Sequence, residues 1–77
     1  MKELKFEDFL AQEYPLIQHN MINAIIDLVN SDVKKNGIEN AIFETQRIIK
    51  VLNQNKPTET QYELINLYED IIRKLKK

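Results

Sequence analysis

With 77 residues, 43% of them hydrophobic, the chain has enough material for one compact core, and a core of that size leaves a margin of only about 3–5 kcal/mol. Acids and bases nearly cancel, at a net charge of −1, which removes the broad electrostatic attraction that drives nucleic-acid binding. The lack of cysteine excludes disulfide staples and thiolate zinc sites, and it predicts a cytoplasmic protein.

One glycine and two prolines leave little material for tight β-turns, and no segment sustains an apolar/polar alternation. The expected fold class is therefore all-α: a small antiparallel helical bundle of three main helices plus a short N-terminal helix, in a single domain over residues 1–77. The start, MKELKFEDFL, mixes both signs of charge and lacks the apolar run of a signal peptide, which argues against secretion by that route. The abundance of Lys, Asn and Ile is the composition of AT-rich coding sequences, such as those of low-GC bacteria and their phages and plasmids.

In chain order, Phe6, Phe9, Leu10 and Tyr14 recur at helical spacing, and Pro15 pushes Tyr14 away from helical geometry. A short first helix should end near Glu13, with Pro15 in the first turn of the next one. That second helix is expected from about Leu16 to Lys35. Lys34 and Lys35 would lie at its negative pole, with Asn36 and Gly37 beyond, both tolerant of left-handed geometry. Ser31 and Asp32 are good caps, so a break there is the alternative. Ile17, Met21, Ile22, Ala24, Ile25, Ile26, Leu28, Val29 and Val33 cover an arc of roughly 200°, wider than the stripe of a surface helix. Cover from at least two sides is expected. Five interruptions, Gln18, His19, Asn20, Asn23 and Asp27, rule this segment out as a membrane span.

The third helix should start after Asn36 or Gly37, with Glu39 in its first turn, and run to about Asn53 or Gln54. The fourth has the clearest start in the chain: Thr58 and Gln61 have capping-box spacing, while Pro57 and Tyr62 occupy the positions of a hydrophobic staple. Its buried face should comprise Leu64, Ile65, Leu67, Tyr68, Ile71, Ile72 and Leu75, and RKLKK places cations at its end.

Reactive constellations are scarce. His19, the sole histidine, has Pro15 and Asn23 one turn away on either side, so a helical metal pair is absent, and a solvated or edge position is expected. The only glycine lies between two helices and makes no phosphate loop. Glu59, Glu63 and Asp70 fall on one side of the last helix, where a solvated face with Glu69–Arg73 and Asp70–Lys74 pairs is expected in place of a catalytic pair. Asn20, Asn23, Asp27, Asn30 and Lys34 form a polar line on the second helix, either a plain solvated face or a hydrogen-bonding surface. Gln18, inside the apolar arc, belongs at the open end of the bundle or is a satisfied buried amide. No enzyme, cofactor or metal is expected.

A helix-turn-helix over residues 28–48 is the DNA-binding alternative, with Gly37 in the turn, Val33 four residues earlier and Phe43 six later. Against it, Asp32 falls where an apolar residue is wanted, and Glu39 and Glu44 open the recognition helix with only Arg47 and Lys50 to offset them. A nucleic-acid partner is not expected.

In AIFETQRIIKVL, Ala41, Ile42, Ile48, Ile49 and Leu52 share one face, yet Phe43 and Val51 lie roughly opposite it at about 100° per residue. Three readings follow for Phe43. It is an interface residue flanked by cationic stems, a core residue covered by the first helix through Phe6, Phe9 and Leu10, or an isolated exposed aromatic. The expected function is that of a small cytosolic accessory, regulatory or inhibitor protein binding another protein, or a second copy as a homodimer, through Phe43, Arg47, Lys50, Val51 and Tyr62. In size and helical character the chain also resembles the small helical bacteriocin-immunity proteins, with no residue motif in common.

Overall fold

A computed structural model describes residues 3–9 and 13–77. Three helices, α1 (His19–Asn36), α2 (Ile38–Gln54) and α3 (Glu59–Lys76), follow a 3-10 turn at Phe6–Asp8. The helices pack as an antiparallel bundle, and no strand occurs among the described residues. The all-α expectation holds; of the expected first helix, the described residues carry the 3-10 turn at Phe6–Asp8 and 3-10 geometry at Glu13. Leu10, expected on the same helix, lies outside the described residues.

Local chemistry sets each boundary. Pro15 precedes α1 and is not in its first turn, because the backbone there is committed elsewhere. The Leu16 N–H donates to the Glu63 carboxylate on α3 at 3.0 Å, and the Ile17 N–H donates to the Tyr14 carbonyl at 3.1 Å. Helix α1 therefore starts three residues later than its sequence suggests, with the Gln18 carbonyl accepting from the Met21 and Ile22 N–H groups. Gln18 is exposed, as expected of a residue at the bundle's open end.

No break occurs at Ser31 and Asp32. Asp32 turns its carboxylate outward to accept from the Asn36 and Asn40 side-chain amides at 2.8 and 3.1 Å, tying the end of α1 to the start of α2. Gly37 alone joins the two helices, at φ 92° and ψ 163°, a conformation open essentially only to glycine. At the start of α3 the capping box forms as read: the Gln61 N–H donates to Thr58 Oγ1 at 3.2 Å, and the Thr58 N–H donates to Gln61 Oε1 at 2.8 Å.

One continuous core runs through the molecule. Ile22, Ile25, Ile26, Val29 and Val33 of α1, Ala41 of α2, and Leu67, Ile71 and Leu75 of α3 meet there. Ile22, Leu67 and Ile71 are fully enclosed, each contributing about 1.5–3 kcal/mol of burial. Thr45 on α2 is also buried, and its hydroxyl donates to the Ala41 carbonyl one turn back at 2.7 Å, so no polar atom is stranded there.

The segment before α1 completes this core from one side, burying Leu4, Phe9, Tyr14 and Ile17. Its anchors lie on α1 and α3. The side chain of Asn30 clamps the Leu4 backbone at two points, Oδ1 accepting from the N–H at 2.9 Å and Nδ2 donating to the carbonyl at 2.8 Å. Phe6 meets the His19 ring edge-on at a centroid distance of 5.8 Å, and Lys74 Nζ sits 5.4 Å from the centre of the Phe9 ring. We call residues 3–9 and 13–17 the arm.

Candidate interaction face

Because these anchors draw the arm to the α1 and α3 side, it does not cover the outer side of α2. Phe43 is 56% exposed, which removes the reading in which the first helix encloses it. The physical cause is a set of polar anchors that no helical periodicity reveals: Asn30, Glu63 and Asp70 each engage the arm.

Part of the exposed apolar surface lies along the junction of α1 and α2, and the rest is at Leu16, Phe43 and Tyr62. Leu28 is 71% exposed, the largest value among the bulky apolar side chains of the described residues, with Val51 at 63% and Ile48 at 41%. Leu28 and Ile48 share a cleft of about 130 Å³ floored by Ile25, Val29, Thr45 and Tyr68 and edged by Asp32 and Glu44. A second, shallower hollow adjoins it, lined by Glu44, Arg47, Ile48, Val51 and Leu52. Glu44 and Ile48 belong to both, so the two form one surface. Met21, two turns before Leu28 and on the same side of α1, is half exposed. The wide arc of α1 is thus covered by α2, α3 and the arm except along this edge.

Of the residues singled out from the sequence, Arg47 and Val51 lie in this face. Phe43 and Lys50 are exposed farther round α2 and do not line either hollow, and Tyr62 is exposed near the start of α3. Leu28, Ile48 and Glu44 were missed. For Leu28 the breadth of the α1 arc signalled a need for cover on at least two sides but did not say which of its residues would stay uncovered. Ile48 is assigned to the buried side by its helical position and lies at the margin of that side.

Glu44 and Arg47 form an exposed i,i+3 pair at 3.5 Å. Such a pair contributes at most about 1 kcal/mol and is free to re-pair.

A different, polar cluster lies at the arm's contact with α3. The Tyr14 hydroxyl donates to the Asp70 carboxylate, which also receives Arg73. The expected Glu69–Arg73 and Asp70–Lys74 pairs give way to this Asp70–Arg73 pair, because Lys74 is drawn over Phe9. Glu63 and Asp70 are half-buried against the arm, so the acidic side of the last helix is not the solvated ridge expected of it. Burial, reinforced by the bond to the Asp70 carboxylate, pushes the Tyr14 hydroxyl well above the usual tyrosine range. A phenol held protonated in this way donates a hydrogen bond and is a poor base at neutral pH. Burial also raises Tyr68.

His19 is exposed at the edge of the bundle, as its sequence context suggests. Among the described residues no three His, Cys, Asp or Glu side chains gather to hold a metal ion, and no helix is long and apolar enough to cross a membrane.

The class defined by the described residues is a small three-helix bundle with an N-terminal arm and an exposed apolar face along α1 and α2. No family model, curated protein or solved structure matches the chain.

Proposed function

We propose that this chain is a non-enzymatic helical protein that acts by binding a protein partner through its α1–α2 face. One observation carries the reading: Leu28, Ile48 and Val51 stand exposed on a single continuous surface, while Leu4, Phe9, Tyr14 and Ile17 of the arm are committed to the core. Apolar side chains at the centre, with an acid and an arginine at the rim, match the composition of protein interfaces. A regulatory or inhibitory role in the cytoplasm of a low-GC bacterium or its phage remains part of the proposal, carried by composition alone.

The DNA-binding alternative gains nothing from the fold. A helix-turn-helix joins its helices by a turn of about 3–4 residues, whereas Gly37 alone joins α1 to α2. The likeness to immunity proteins still rests on size and helicity.

The test is site-specific crosslinking in cells. A photoreactive residue in place of Leu28 or Val51 should yield a discrete protein adduct, and one in place of Asn23, on the polar side of α1, should not. Equal crosslinking from both sides, or none from either, would refute the reading, and a salt-dependent mobility shift with duplex DNA would favour the alternative.

A further inference from the structure

We infer that the α1–α2 face seats a second copy of this chain, related by a two-fold axis, with Glu44 of each protomer opposite Arg47 of the other. This rests on the docking reading above and names the occupant.

The amount of surface supports it. The folded chain exposes 5529 Å², whereas a compact monomer of 9.2 kDa is expected to expose roughly 4900 Å². That excess of about 600 Å² is spread over the whole chain, and the share on this face is what a second copy could bury. The exposed parts of Met21, Leu28, Ile48 and Val51 supply on the order of 350 Å² of apolar surface, near the apolar share of one partner's side of a standard interface.

Charge selects the partner. The rim of the face carries two acids, Asp32 and Glu44, and one base, Arg47; Asp32 is taken up by the Asn36 and Asn40 amides, while Glu44 and Arg47, one turn apart on α2, are held together only by a 3.5 Å contact between exposed side chains. A partner surface of a single sign would repel one of the two. A surface bearing the same acid and base in inverted order satisfies both, and a two-fold operation on this chain generates that surface, because in an isologous interface each contact occurs twice with its members exchanged. The net charge of −1 adds little long-range repulsion between copies. Shape agrees: the protruding Leu28 stands beside the cleft floored by Ile25, Val29 and Thr45, a knob and a hollow on one face.

Sedimentation equilibrium of the full chain from micromolar to millimolar concentration tests this. A monomer–dimer equilibrium is expected. Ile48→Asp should abolish it with unchanged helical circular dichroism, and Glu44→Arg alone or Arg47→Glu alone should weaken it at least tenfold through like-charge contacts. Mixing those two charge variants in equal amounts should restore dimers, since each then meets its opposite sign twice. A wild-type chain that stays monomeric throughout overturns the inference, as does a dimer indifferent to these substitutions. Should the crosslinking give adducts only with a different protein, the docking face stands and the second copy falls; should it give none, the docking reading itself falls.

Discussion

Replacing Tyr14 with phenylalanine removes one hydroxyl and almost nothing else, so it isolates what the bond to Asp70 contributes to holding the arm down. Hydrogen bonds to charged groups contribute about 1.5–3 kcal/mol. Asp70 keeps Arg73 after the change, and its side chain is 25% exposed, so water replaces part of what is lost. The expected cost is therefore at the lower end, about 1–1.5 kcal/mol, which lowers the melting temperature by about 4–12 °C for a domain of this length. The pH dependence is a sharper signature. Tyr14 is raised in the folded state, so above the ordinary tyrosine value near 10 the unfolded chain releases a proton that the folded chain retains. Folded protein then binds more protons than unfolded protein, and stability falls as pH rises. The contribution is fully present below pH 10 and is lost progressively above it. Thermal melts of wild type and Tyr14→Phe at pH 7 to 11 should show a gap that is constant to about pH 9.5 and then narrows, the other tyrosines and lysines cancelling in the difference. A gap that widens with alkaline pH, or no gap at pH 7, would refute the assignment of Tyr14 as a protonated donor to Asp70.

Three further substitutions address the local devices. Gly37→Ala meets no neighbouring atom within 4 Å of the added methyl, so its cost is backbone strain alone, about 1–3 kcal/mol by urea unfolding; a neutral result would show that the connection relaxes freely. Thr58→Ala breaks the capping box and should cost about 1 kcal/mol, with faster amide hydrogen exchange confined to the first turn of α3. Asn30→Ala frees both backbone groups of Leu4, and the Leu4 amide should lose its exchange protection while the α2 amides keep theirs; uniform loss across the bundle would mean that the arm and core unfold as one unit.

Local chemistry was legible in the sequence, and routing was not. Thr58 with Gln61, and Gly37 between two periodic segments, fix helix ends through side chains at most three residues away, so their spacing alone reveals them. The buried face of α3 follows from the helical repeat for the same reason. The path of the arm depends on Tyr14 meeting Asp70 and Leu4 meeting Asn30, pairs 56 and 26 residues apart that leave no periodic trace. Asp32 reads as a helix cap in isolation, but its carboxylate bonds forward across the connection while the helix continues past it. Of the candidate interface, Arg47 and Val51 could be read from their place opposite the apolar stripe. Leu28 could not be separated from its buried neighbours Ile25 and Val29 until the position of the arm was known.

The arm links the fold to the proposed function. Helix α1 carries more apolar circumference than α2 and α3 cover, and the uncovered part lies on two flanks. On one flank the polar residues Asn30, Glu63 and Asp70 supply fixed partners for backbone and hydroxyl groups, and the arm settles there with Leu4, Phe9 and Tyr14 beneath it. On the other flank, at Met21 and Leu28 of α1 beside Ile48 of α2, Asp32 is already engaged by Asn36 and Asn40, and Glu44 lies in a loose exposed pair with Arg47. No contact there holds the described residues of the arm. The asymmetry is thus set by where hydrogen-bonding side chains stand along α1 and α3, and it leaves the α1–α2 flank available to a partner that brings its own apolar residues and its own complementary charges.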